Sequence, residues 1–161
     1  MMRQGSWGLT VSLVLAFVLT LIPLPEWLDA MRPYWVALVM MYWHLEVDRI
    51  RHLGQAFALG LLLDLMTGSL LGQHALGLVI INFLVARFRS RIRFFPPWQQ
   101  ALVVGALLFN DRVVQLWIIG LLERGWPSWS WWLPPIVAIA IWPWLFLALD
   151  AVRHRQRQPQ R

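Results

Sequence analysis

Four places in the chain put polar chemistry inside otherwise apolar runs. Asp64 interrupts Leu61-Leu62-Leu63-Asp64-Leu65 just ahead of Gly68, the triplet Asn110-Asp111-Arg112 breaks a long apolar stretch, and Asn82 and His74 share a third. Two carboxylates brought together can share a proton and do acid–base work, whereas a carboxylate near a guanidinium can hold helix register or line a proton or solute path. In hydrocarbon such groups are costly unless paired. Asp111 and Arg112 are sequence neighbours, and one residue turns a helix by about 100°, so they cannot serve the same partner side by side. The expectation is that Arg112 reaches across to Asp64 while Asp111 accepts from Gln115 one turn on or from a neighbouring helix, as structural contacts that fix helix register. A proton or substrate pathway and contact with a partner's transmembrane helix are the alternatives.

Chemistry of the soluble kind has no foothold here. The chain contains no H-E-x-x-H, G-x-S-x-G or P-loop pattern, and with no cysteine it has neither disulfides nor thiolate metal sites. No catalytic, cofactor-binding or metal-ligating residue is expected. The two aspartates allow one enzyme test, because the chain's size is similar to that of the lipoprotein signal peptidase family, whose members have four spans and two catalytic aspartates. Asp64 lacks that family's Asn-x-x-Asp context, Arg112 adjoins the second carboxylate, and the span count below is too high.

The elements that must position these residues are membrane helices. Hydrophobic residues make up 59% of the 161, mean hydropathy is +0.57, and charged residues are 14%, against roughly 25% in soluble domains. A helix needs about 20 apolar residues to cross the hydrocarbon core, and six windows suit it: about 5–22, 33–47, 53–66, 70–86, 98–122 and 132–149. The first resembles a secretory signal but has no small-x-small cleavage site after it, so it is expected to be retained. Pro33 is expected as the first helical residue of the second, which is the weakest window and is expected to run past Glu46. The third and fourth form a hairpin through Thr67-Gly68-Ser69, and Pro96-Pro97 opens the fifth.

Charge sets the orientation. All fourteen basic residues are arginine. With six spans and both termini cytoplasmic, eleven lie inside (Arg3, Arg49, Arg51, Arg87, Arg89, Arg91, Arg93, Arg153, Arg155, Arg157 and Arg161). Arg32 and Arg124 lie outside and Arg112 within a span, a strong positive-inside bias. The net charge of +6 is therefore a topology signal, and nucleic acid is not an expected partner. Tryptophan prefers the headgroup level. Trp27, Trp126, Trp129, Trp131 and Trp132 are expected at the outer rim, the group at 126–132 also as a docking surface, and Trp7, Trp43 and Trp98 at the inner rim. Gly54-xxx-Ala58, Ala56-xxx-Gly60 and Ala101-xxx-Gly105 would let helices approach closely. Six spans leave no room for a soluble lobe, so the expected architecture is one all-α polytopic membrane domain.

Ordered stretches along nearly the whole chain carry a family resemblance. They are Arg32-Pro33-Tyr34-Trp35, Tyr42-Trp43, the run Gly60-Leu61-Leu62-Leu63-Asp64-Leu65-Met66-Thr67-Gly68-Ser69-Leu70-Leu71-Gly72 with Ala75-Leu76, Trp98-Gln99-Gln100-Ala101-Leu102, Asp111, and Trp142-Pro143-Trp144. In these the chain resembles the MreD family, small integral membrane proteins of the bacterial rod-shape machinery. The resemblance implies a non-enzymatic, cofactor-free scaffold in the inner membrane that binds MreC and helps couple MreB filaments to the peptidoglycan synthase RodA and its penicillin-binding transpeptidase partner. It also implies a six-helix fold similar to the substrate-binding subunit of energy-coupling-factor transporters. The structural or partner-binding candidates are then Arg32, Pro33, Trp35, Asp64, Gly68, Gly72, Asn110, Asp111 and Arg112, with the two glycines permitting a tight outer turn and the arginine loops attracting anionic lipid or an acidic partner. The rival reading is a small-solute-binding membrane subunit of a transporter.

Overall fold

The computed structural model describes residues 6–47, 53–122 and 125–157. Gly5, Asp48, His52, Glu123 and five of the arginines in the charge tally (Arg3, Arg49, Arg51, Arg124 and Arg161) lie outside the described residues. Among the described residues all regular structure is helical: α1 Ser6–Leu21, the single turn α2 Glu26–Asp29, α3 Trp35–Glu46, α4 Leu53–Thr67, α5 Gln73–Ile92, α6 Pro97–Leu121 and α7 Leu133–Arg157, the last entered through a 3-10 turn at Trp129–Trp132. Two stretches, Pro97–Leu121 and Trp129–Arg155, are long and apolar enough to cross a membrane by length and composition, and the apolar helices Trp7–Leu21 and Leu53–Thr67 are shorter.

Five helices make a ring around α3. Contacts run from α1 to α4, α4 to α5, α5 to α6, α6 to α7 and α7 back to α1, while α3 touches α1, α5 and α7. Every residue of α3 from Val36 to Leu45 is buried, which is the signature of a helix hydrophobic all round and packed on all sides. The stretch read as the weakest window is thus the axis of the bundle. At 12 residues it is about 18 Å long, and a helix sheathed in protein does not have to match the thickness of the lipid.

Several boundaries differ from expectation. Pro33 is buried but lies before the helix, with Tyr34 as N-cap and Trp35 as first residue. The helix ends at Glu46, because Val47 is extended at φ −118°, ψ 115°, and does not run on. Arg87, Arg89 and Arg91, expected in a loop, belong to α5, with Arg93 as its C-cap; likewise Arg153, Arg155 and Arg157 continue α7. Straight-chain arginine is a good helix former and cations suit a helix C-terminus, so charge ended the apolar window without ending the helix.

Small residues decide the closest approaches. A Cβ at Gly60 would strike the backbone of Ala75 and one at Gly105 would strike Ile139, so the 56/60 and 101/105 pairs serve α4–α5 and α6–α7 packing. Gly54 and Ala58 instead face outward. Trp43 is no rim anchor: it is fully buried, and its indole Nε1–H donates to Ser12 Oγ at 2.8 Å. A single tryptophan's burial cannot be read from its type, since indole suits a core as well as a headgroup layer once its N–H finds an acceptor.

Candidate functional site

Three charged side chains in this fold, Arg32, Asp64 and Arg89, are bonded to helix ends. A helix leaves four N–H groups and four C=O groups unsatisfied at its termini, and within a bilayer no water supplies them. Arg32 shows the pattern. Its guanidinium donates to the carbonyls of Thr20 and Ile22 at the end of α1, the latter at 2.5 Å, and pairs with Asp29 Oδ1 at 2.9 Å. Arg89 Nε similarly donates to the carbonyl of Leu45 in the last turn of α3, at 3.0 Å.

Asp64 does the reverse at an N-terminus. The α4–α5 turn needs positive φ at Gly68 (66°) and Gly72 (97°), which glycine adopts without penalty. Gly72 is the N-cap of α5 and has no side chain with which to cap it. The carboxylate of Asp64, arriving from α4, takes over: Oδ2 accepts from Gly72 N at 2.8 Å, and Oδ1 accepts from His74 N at 2.9 Å and Ser69 Oγ at 2.7 Å. His74 Nδ1 lies 2.7 Å from the same oxygen. Asp64 is only 1% exposed. It is a remote N-cap, whose negative charge the dipole of α5 also favours.

Arg112 therefore does not meet Asp64, contrary to expectation. It sits with its guanidinium 4.8 Å from the ring centroid of Trp131, within cation–π range. The reason is that the turn's backbone donors lie beside Asp64 and saturate it. Asp111, 3% exposed, accepts from Gln115 Nε2 at 2.7 Å as the helical spacing predicts. Its other oxygen abuts Gly77 of α5, where a Cβ would collide with it. Asn110 turns away from this cluster and is exposed on the outside of α6, so the triplet serves three directions.

Tyr34 joins the two carboxylate clusters. Its ring meets His74 edge-on at 5.7 Å between centroids, and it lines, with Leu108, Asp111, Arg112, Pro134 and Pro135, a cavity of about 10 Å³, roughly the room one water requires. Asp64, His74, Tyr34, Asp111 and Gln115 thus form one polar seam through α4, α5, α6 and the segment entering α3. Tyr34 and Ser69 were visible only inside the quoted stretches. Their signal was position: Ser69 closes the Thr67-Gly68-Ser69 turn five residues beyond Asp64, and Tyr34 immediately precedes an apolar run.

Sequence reading missed a second cluster, at the other end of α3. Arg153 of α7 pairs with Glu46 and with Asp150, the latter at 2.5 Å, and Tyr42 Oη donates to Asp150 Oδ1 at 3.2 Å. Asn82, in the same core, donates to the carbonyl of Leu78 at 2.7 Å. Among the described residues no group of three or more His, Cys, Asp and Glu is arranged to hold a metal ion. The chemistry of these clusters is capping and cross-bracing.

An all-helical membrane protein whose charged residues brace helix ends around a buried central helix is the class that fold and site define. The family model for rod shape-determining protein MreD matches residues 1–152. A rod shape-determining protein MreD of Haemophilus influenzae is 33% identical over 142 residues, covering 88% of each chain. This chain belongs to the MreD family, and its role lies in determination of cell shape. No solved structure matches it.

Proposed function

We propose that the protein is a non-enzymatic scaffold of the cell-elongation complex, embedded in the bacterial inner membrane by six crossings with both termini cytoplasmic, and that it binds MreC and so helps link MreB filaments to RodA and its transpeptidase partner. The observation that carries this reading is the use made of the membrane-depth carboxylates. Asp64 is saturated by the α4–α5 turn and Asp111 is tied to Gln115, which suits a bundle held in one register and offers no shared proton for catalysis. The arginine distribution supports the orientation.

In this reading the bundle presents a lipid-embedded surface to the single transmembrane helix of MreC and holds it at fixed depth. Binding needs no cofactor. Arg87, Arg91 and Arg93 remain exposed at the end of α5 and would attract anionic headgroups or an acidic cytoplasmic partner by about 1 kcal/mol each. Arg89 and Arg153 are committed to Leu45 and to Glu46 with Asp150, so the effective basic surface is smaller than the sequence count.

Co-purification tests the scaffold against the transporter reading. A scaffold retains MreC through detergent extraction, and photoreactive residues placed on each helix in turn crosslink to it from one face; a solute-binding subunit instead releases an identifiable small molecule on denaturation. Orientation is checked with a tag after Arg161, which periplasmic reagents must fail to reach in sealed cells.

A further inference from the structure

The outward face of α6 differs in kind from that of its neighbours. At mid-length the exposed positions of the other ring helices are hydrocarbon or indole: Val14 and Leu15 on α1, Leu62 and Leu65 on α4, Phe83 on α5, Trp144 and Leu147 on α7. Leu102 and Leu121 on α6 are hydrocarbon too, but from Ala106 to Gly120 its exposed positions, Ala106, Asn110, Val113, Trp117 and Gly120, follow one another at intervals of four, three, four and three, the spacing of a left-handed helix pair. Asn110 stands in the middle of that seam. Among the described residues no hydrogen bond engages its amide, and lipid offers an amide neither donor nor acceptor.

We infer that this face is the interface between two copies of the chain, paired through parallel α6 helices with Asn110 opposite Asn110. Copies inserted in one orientation are related by an axis along the membrane normal, so each seam position meets its own counterpart. A carboxamide both donates and accepts, and its own copy is therefore its complement. A single asparagine at such a position also specifies register and a two-stranded state. The neighbouring layers are shaped for close approach: Ala106 and Gly120 are small, and nothing lies within 4 Å of where a Gly120 side chain would begin. In knob-into-hole packing the hole that receives Trp117 of one copy is formed by Val113, Leu116, Trp117 and Gly120 of the other. Leu116 and Gly120 line a cavity of about 280 Å³ that Ile119, Gly125 and Trp126 complete. Trp117, 72% exposed, is the side chain placed to enter it. The pairing does not depend on MreC.

Single cysteines test the seam, because the chain has none of its own. In native membranes under mild oxidation, Ala106→Cys and Val113→Cys are expected to give disulfide-linked dimers of the full chain, and Phe83→Cys and Leu147→Cys none. Adding Asn110→Leu to Val113→Cys is expected to abolish the dimer while the monomer inserts and extracts normally, since Asn110 supports nothing inside the bundle; Asn110→Gln should retain it. Absence of dimer at both seam positions overturns the inference. Equal yields at Phe83→Cys or Leu147→Cys, or Val113→Cys capturing only a different protein, overturn it as well.

Discussion

The two ends of the central helix solve the same problem differently. At its N-terminal end, Asp64 is neutralised by backbone N–H groups, a serine hydroxyl and a histidine ring. At its C-terminal end, two carboxylates, Glu46 and Asp150, share the guanidinium of Arg153, with His154 at 3.3 Å from Asp150. The Asp64 cluster is built from dipoles fixed by a turn. The Arg153 cluster is built from charged side chains that are partly exposed. A carboxylate held by aligned backbone donors does not depend on ionic strength, whereas an ion pair in reach of solvent does. The Asp64 cluster therefore sets the geometry of the hairpin, and the Arg153 cluster ties α7 to α3.

The largest effect is expected from Asp64→Ala, which strips the cap from α5 and leaves the backbone N–H groups of Gly72 and His74 without their acceptor. It should cost about 3 kcal/mol, seen as a lower apparent thermal midpoint in detergent that salt does not change. A midpoint equal to that of the unmodified protein would remove the capping role. Next is Gly77→Ala, whose new methyl meets Asp111 Oδ1 and should cost about 2 kcal/mol; combining it with Asp111→Ser should give less than the sum of the two single losses, because both act at one contact.

At the C-terminal end of α3, Arg153→Gln should cost about 1 kcal/mol at low ionic strength and progressively less as salt rises. A salt-independent loss there would erase the contrast between the ends. Trp43→Phe removes the bond to Ser12 and should cost about 1 kcal/mol, with a smaller loss in a Ser12→Ala background. Smallest is Trp129→Ala: the residue is 92% exposed, and its removal should change the midpoint by the equivalent of about 0.5 kcal/mol or less.

Particular residues show how far the primary structure could be read. The hairpin glycines were legible because Thr-Gly-Ser between two apolar runs has few alternatives, and the Asp111–Gln115 contact was legible because a helix brings residues four apart together. Asp64 reads from the sequence as a side chain needing a partner, and the structure supplies partners other than Arg112. The Arg112 pairing rested on charge, and the true donors are uncharged backbone groups whose direction depends on a left-handed turn. Arg153 reads from the sequence as one of the arginines of a tail, because its carboxylate partner Glu46 lies 107 residues away.

Composition and periodic apolar runs by themselves determined that the chain is a helical membrane protein, where most helices lie, and which few polar residues required explanation, because hydrocarbon tolerates only helices whose backbone groups are satisfied within each segment. Only the tertiary structure decided that α3 is the axis, that Asn110 faces outward while Asp111 faces inward, and which helix end each charge caps. Those outcomes depend on which helices become neighbours, a question of packing between segments distant in sequence. Local pattern contains no record of it.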